Sequence, residues 1–130
     1  MSGMIVRMAL GTTLALALAV AGSTSAMANP SDVIQRGSCS GSTDWKLKLS
    51  PQDNRIEVEY EVDSNVSGQT WQVQIQKNGA GIFSGSRVTG QPSGSFEIRK
   101  VTSDTAGPDL FRARAANPAT GEVCVGTASF

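Results

Sequence analysis

The chain holds 130 residues in which eleven Lys and Arg balance eleven Asp and Glu, so it carries no formal net charge. It has no histidine, which removes the commonest general base and the commonest zinc ligand together. Charged side chains make up only 17%, too few for a charge-driven disordered tail or a nucleic-acid-binding arm, and the length suits a single domain.

In chain order, Arg7 precedes the mostly apolar run Met8 to Ala21, and small or polar residues lead into Ser25-Ala26-Met27-Ala28. A positive start, a short apolar stretch and an A-x-A site read as a secretory signal peptide over residues 1–28, cleaved after Ala28 or, alternatively, after Ala26. Gly11, Thr12 and Thr13 interrupt the run, so no membrane span is expected once the leader is gone. Export places the only two cysteines, Cys39 and Cys124, in an oxidising compartment, where two thiols most often pair. Closing a loop of nearly the whole domain is worth about 4 to 5 kcal/mol. A lipid anchor on Cys39 fits poorly, because Arg36-Gly37-Ser38 lacks the apolar residue that a lipoprotein signal sets before its cysteine.

Residues 29–41 are polar and small, and read as a flexible lead-in to a domain over residues 42–130. From there the dominant period is two. Trp45, Leu47 and Leu49 alternate with Lys46 and Lys48; Pro51-Gln52-Asp53-Asn54 supplies a turn; Ile56, Val58, Tyr60 and Val62 then alternate with Glu57, Glu59 and Glu61. Attraction between the lysines and the glutamates helps set the register of this hairpin. A loop over residues 63–68 precedes Trp71, Val73 and Ile75, with Gln72, Gln74 and Gln76 on the other face. Asn78-Gly79 marks a tight turn into a weaker strand over residues 82–88. Further strands follow at Phe96 and Ile98, at Phe111, Ala113 and Ala115 between Arg112 and Arg114, and at Cys124, Gly126 and Ala128. Seven short strands with turn signals between them predict an all-β, seven-stranded antiparallel two-sheet sandwich with one disulfide.

Three places resemble the immunoglobulin-like and fibronectin type III-like sandwiches. Trp71 stands where many such domains bury a tryptophan. Asp109-Leu110-Phe111-Arg112-Ala113-Arg114-Ala115 is similar to their corner and sixth strand, and Thr120-Gly121 to the connection into their seventh. Phe111 departs from the pattern, because it has no hydroxyl for a tyrosine corner, and the usual second-to-sixth-strand disulfide is absent. Cys39 would instead tie the start of the first strand to the seventh. The Ala-rich leader and the size also resemble small secreted actinobacterial proteins. The enediyne-carrier apoproteins of that group share the fold type, but this chain lacks their paired-cysteine loops.

Chemistry is sparse. Without histidine a nucleophilic hydrolase would need a Ser/Lys arrangement; no Ser-x-x-Lys occurs, and Lys46, Lys48, Lys77 and Lys100 read as surface-strand or turn residues. Glu57, Glu59 and Glu61 lie on one face at roughly 6.5 Å intervals, a spacing open to glycoside cleavage but better read as a solvated face neutralised by lysines. Asp63 with Asn65, and Asp104 with Asp109, are the loop oxygens most suited to calcium, yet ordinary turn formation explains them; neither metal nor cofactor is expected. Asn65-Val66-Ser67 matches a glycosylation sequon by composition alone. If the third, sixth and seventh strands share a sheet, its outer face shows Gln72, Gln74, Gln76, Arg112 and Arg114, with Thr127 and Ser129 further along. These are long side chains suited to sugar hydroxyls, carboxylates or protein. The expectation is a monomeric, non-enzymatic extracellular recognition module for a protein or glycan, with no nucleic-acid partner. A carbohydrate-binding module would need Trp45 or Trp71 facing solvent. A protease inhibitor would present residues 65–70 or 90–94, and a small hydrolase is the remotest reading.

Overall fold

The computed structural model describes residues 30–130; the signal peptide read at residues 1–28, with both cleavage sites, lies outside the described residues. Eight strands follow one another: β1 Val33–Ser38, β2 Asp44–Gln52, β3 Arg55–Asp63, β4 Thr70–Lys77, β5 Ala80–Val88, β6 Ser95–Ser103, β7 Leu110–Ala116 and β8 Val123–Ser129. They form two four-stranded sheets, ordered β1-β2-β3-β6 and β5-β4-β7-β8, with every pairing antiparallel. The result is an all-β two-sheet sandwich, compatible with an immunoglobulin-like fold.

The strand beyond the seven expected is β1, which lies inside the stretch read as a flexible lead-in over residues 29–41. It is laddered along β2 from Val33↔Leu49 to Ser38↔Asp44. Its side chains hide it: Val33 and Ile34 are only half-buried, while Gln35 and Arg36 are exposed. An edge strand held by backbone hydrogen bonds needs no apolar alternation, so period-two reading passes over it.

The two hairpin turns are set by backbone conformation. Asp53 and Asn54 both take positive φ, at 45° and 63°, as do Asn78 and Gly79 at 49° and 82°. Two successive left-handed residues match the twist of the strands they join, and Asn, Asp and Gly tolerate them best. The first turn is therefore shorter than the sequence suggests, and Pro51 and Gln52 stay in β2.

Between the sheets lie Leu47, Leu49, Ile56, Val58, Tyr60, Val62, Trp71, Val73, Ile75, Phe96, Ile98 and Phe111, the inward members of their alternating strands. The Trp71 and Phe96 rings meet at 6.5 Å between centroids. Small residues complement them: Ala113 and Ala115 sit opposite Ile75 and Val73, and opposite Gly126 and Cys124 on the other side. Alanine and glycine on β7 and β8 leave volume for large rings from the facing sheet.

One side of the sandwich is closed covalently. Cys39, just after β1, is bonded to Cys124 of β8 with the two Cα atoms 4.3 Å apart. Beside it the Trp45 indole fills the slot between β1 and β8. A Cβ on Gly37 would stand 2.7 Å from that ring, and one on Gly126 would stand 2.5 Å from it, so neither position admits a side chain without displacing the indole. The Tyr60 hydroxyl crosses from β3 and donates to the Cys124 carbonyl at 3.2 Å. Phe111 carries no hydroxyl, and this bond from Tyr60 is a buried tyrosine tether at a different place.

Two outcomes are expected. Replacing Cys39 and Cys124 together by Ala frees an 85-residue separation in the unfolded chain. The denaturant midpoint should then drop by the equivalent of about 4 to 5 kcal/mol. Tyr60 is the chain's one tyrosine, and burial pushes its pKa upward from 10.0. The unfolded chain releases that proton near pH 10 while the folded chain keeps it, so stability declines as pH rises above about 10. Tyrosinate absorbance should therefore appear together with unfolding. Ionisation near pH 10 in the intact fold would contradict the buried tether.

Candidate functional site

Alternation places Trp71, Val73 and Ile75 of β4 inward, which turns Gln72, Gln74 and Gln76 outward; the same rule on β7 buries Phe111, Ala113 and Ala115 and turns out Arg112 and Arg114. Pairing of β4 with β7 sets Gln74 opposite Arg114 and Gln76 opposite Arg112, with Gln72 opposite Ala116. Pairing of β7 with β8 adds Val125 beside Arg114 and Thr127 beside Arg112. All five residues singled out in the sequence thus share one face, as the expected adjacency of those strands requires. Neighbours stand about 4.8 Å apart across strands and about 7 Å apart along them. Gln72 accepts a hydrogen bond from the Ser86 hydroxyl at 2.9 Å. No ion pair or side-chain hydrogen bond engages Arg112, Arg114, Gln74 or Gln76 among the described residues.

The outer face of the other sheet is built differently. Lys46 lies 3.9 Å from Glu61, and Lys48 lies 3.6 Å from both Glu59 and Asp32. Arg99 of β6 reaches Glu59 at 2.7 Å, Glu97 at 3.2 Å and Glu57 at 3.4 Å. The negative charge of Glu59 above all, then the hydrogen bond to Glu97 and the charge of Glu57, holds the guanidinium pKa above its ordinary value. Each glutamate considered for glycoside cleavage is therefore engaged with a cation. The register Lys46↔Glu61 and Lys48↔Glu59 is the one that charge attraction favours.

The loop candidates are occupied by local structure. Asp63 accepts the Asn65 amide at 3.0 Å, a side-chain-to-backbone turn. Asp109 is fully buried and accepts from Thr105, through both its hydroxyl and its amide, and from the Asn78 side chain at 2.9 Å. Lys77 lies 4.0 Å away and donates to the Ser103 carbonyl and hydroxyl. Lys77 therefore corrects the sequence reading, which put it at the surface: it continues the inward parity of Trp71, Val73 and Ile75 and is only 8% exposed. Its charge is tolerated because Ser103 and Asp109 meet it there. Among the described residues no group of three or more Cys, Asp or Glu is placed to hold a metal ion.

Trp71 is wholly buried, and Trp45 is half-buried in its slot between Gly37 and Gly126. The stretches at residues 65–70 and 90–94 fold against each other. Thr89 bonds Val66 and Gln69, the Gln91 amide reaches Ser67 at 3.3 Å, and Gly94 presses on the backbone of Asn65 and Val66. At the same end a shallow cleft of about 360 Å³ opens between residues 40–43, 64–69 and 120–122, where Glu122 accepts from the Thr43 amide and hydroxyl. Sequence reading missed this carboxylate, whose partner is 79 positions away.

The Asp109 network has a pH consequence. Hydrogen bonds from the Thr105 hydroxyl and amide, then from Asn78, with the nearby Lys77 charge, outweigh burial and lower its pKa from 3.8 to about 2. The folded state thus holds the carboxylate more firmly than the unfolded one, and this contribution is complete above about pH 4 and lost as pH falls toward 2. Denaturant midpoints measured across that window should fall in the native chain and fall less in Asp109→Asn. Equal slopes in the two proteins would refute the assignment. Comparison with protein-family models, curated proteins and solved structures finds no match for this chain.

Proposed function

We propose that the chain is a secreted, non-enzymatic recognition module acting at or outside the cell envelope, with the outward face of the β5-β4-β7-β8 sheet as its binding surface. One observation carries the reading: Gln74, Gln76, Arg112 and Arg114 form a registered, open grid whose polar groups have no partner within the described chain. Arg99, Lys77 and Asp109, by contrast, are engaged within the fold. The leader-like residues 1–28 motivate the compartment, and the Cys39–Cys124 bond is compatible with it. The immunoglobulin-like resemblance supports the same reading, since sandwiches of that kind serve as rigid platforms.

Two alternatives have less support. A carbohydrate-binding module built on an aromatic platform conflicts with the buried Trp71 and the wedged Trp45. A protease inhibitor is disfavoured by the curled, mutually hydrogen-bonded turns at residues 65–70 and 90–94.

The test is co-sedimentation of the exported, oxidised protein with purified cell walls, insoluble polysaccharides and concentrated secreted proteins. Retention on one of these should fall at least tenfold in Gln74→Ala and Arg112→Ala, about 1.4 kcal/mol or more. Failure of every material to retain the native protein would remove the recognition reading.

A further inference from the structure

We propose that the grid takes an acidic polysaccharide laid flat over β4 and β7, its carboxylates on Arg112 and Arg114 and its hydroxyls on Gln74 and Gln76. This rests on the recognition reading above and names its ligand class. The argument begins with how charge is divided between the two faces. On the β1-β2-β3-β6 sheet, Lys46, Lys48 and Arg99 are each ion-paired, their partners being Asp32, Glu57, Glu59, Glu61 and Glu97. On the β5-β4-β7-β8 sheet the two arginines face outward with no carboxylate beside them. Their cross-strand neighbours are Gln74 and Val125 for Arg114, and Gln76 and Thr127 for Arg112. That surface is cationic, flat and free of competing anions, so its complement is anionic.

The neighbouring groups narrow the anion. A guanidinium offers paired N–H donors that match a carboxylate, and the two arginines stand about 7 Å apart at their Cα atoms along β7, which suits repeated charges on a chain. Each glutamine carries both a donor and an acceptor, which is the complement of a hydroxyl that gives and takes. Thr127 and the Ser84 partner of Gln74 extend the same chemistry across the sheet. Val125, 38% exposed beside Arg114, offers an apolar surface to the C–H side of a sugar ring. Nucleic acid fits less well, since affinity for it grows with the number of phosphates neutralised and only two cations stand here.

The test measures binding of the exported, oxidised protein to three soluble polymers: polygalacturonate, its methyl ester, and polyglutamate. The ester keeps the sugar and loses the charge; polyglutamate keeps the charge and lacks the hydroxyls. The expected result is preference for polygalacturonate, weakened by salt, with at least a tenfold loss in the Arg112→Gln/Arg114→Gln double variant. The Gln74→Ala/Gln76→Ala variant should bind polygalacturonate no better than polyglutamate, and Lys100→Gln, exposed on the opposite sheet, should bind as the native chain does. Unchanged denaturation midpoints establish that the variants are folded, as outward positions should allow. Equal binding of the ester overturns the acidic ligand, and equal binding of polyglutamate overturns the polysaccharide. Absence of binding to all three overturns the ligand class alone if the sedimentation assay still shows retention dependent on Arg112, and the recognition reading as well if it does not.

Discussion

Two sheets laid face to face have two open sides, and this sandwich closes one of them through a single strand. β8 supplies Cys124 to the disulfide and Gly126 to the slot that the Trp45 indole fills, and its Cys124 carbonyl receives the Tyr60 hydroxyl. Cys124 and Gly126 occupy alternate inward positions on the same face of that strand. Everything on the second sheet is referred to that strand: β7 pairs with β8, and β4 with β7. A one-residue slip would turn Arg112 and Arg114 inward and Ala113 outward, which burial forbids. Burial of the inward alanines therefore holds the register of the outward grid.

The two outer faces are chemically unlike. One is laced with ion pairs in which the exposed Arg99 meets three glutamates, Glu57 and Glu59 among them being mostly buried. The other carries Gln74, Gln76, Arg112 and Arg114, with no side-chain partner among the described residues. Among the buried ionisable groups, Lys77 and Asp109 are satisfied by hydroxyls and amides of nearby residues, and Glu59 by Lys48 and Arg99. Gln74, Gln76, Arg112 and Arg114 stand outward, where an external ligand has access.

Much of the fold was legible because most strands are half-buried. Where one face meets the core and the other meets water, sequence must alternate, and β2, β3, β4 and β7 do so plainly. The Gln/Arg face was legible for the same reason, once β4 and β7 were taken as neighbours. β1 was not legible, because an edge strand held by backbone bonds leaves no periodic mark. Lys77 was misread because residue type was weighed above its parity with Ile75. The Thr43–Glu122 bond escaped because its two residues are remote in sequence.

Sequence alone determined the all-β class, the two prominent turns, the inward and outward sets of each clear strand and the two cysteines available to pair. Those are local properties, written by period, turn chemistry and residue type. Tertiary structure decided which outward sets became neighbours, which cations met anions, and which were left open. Pairing across distant strands is governed by how the sheets stack and where β8 is fastened, and no local pattern encodes that geometry.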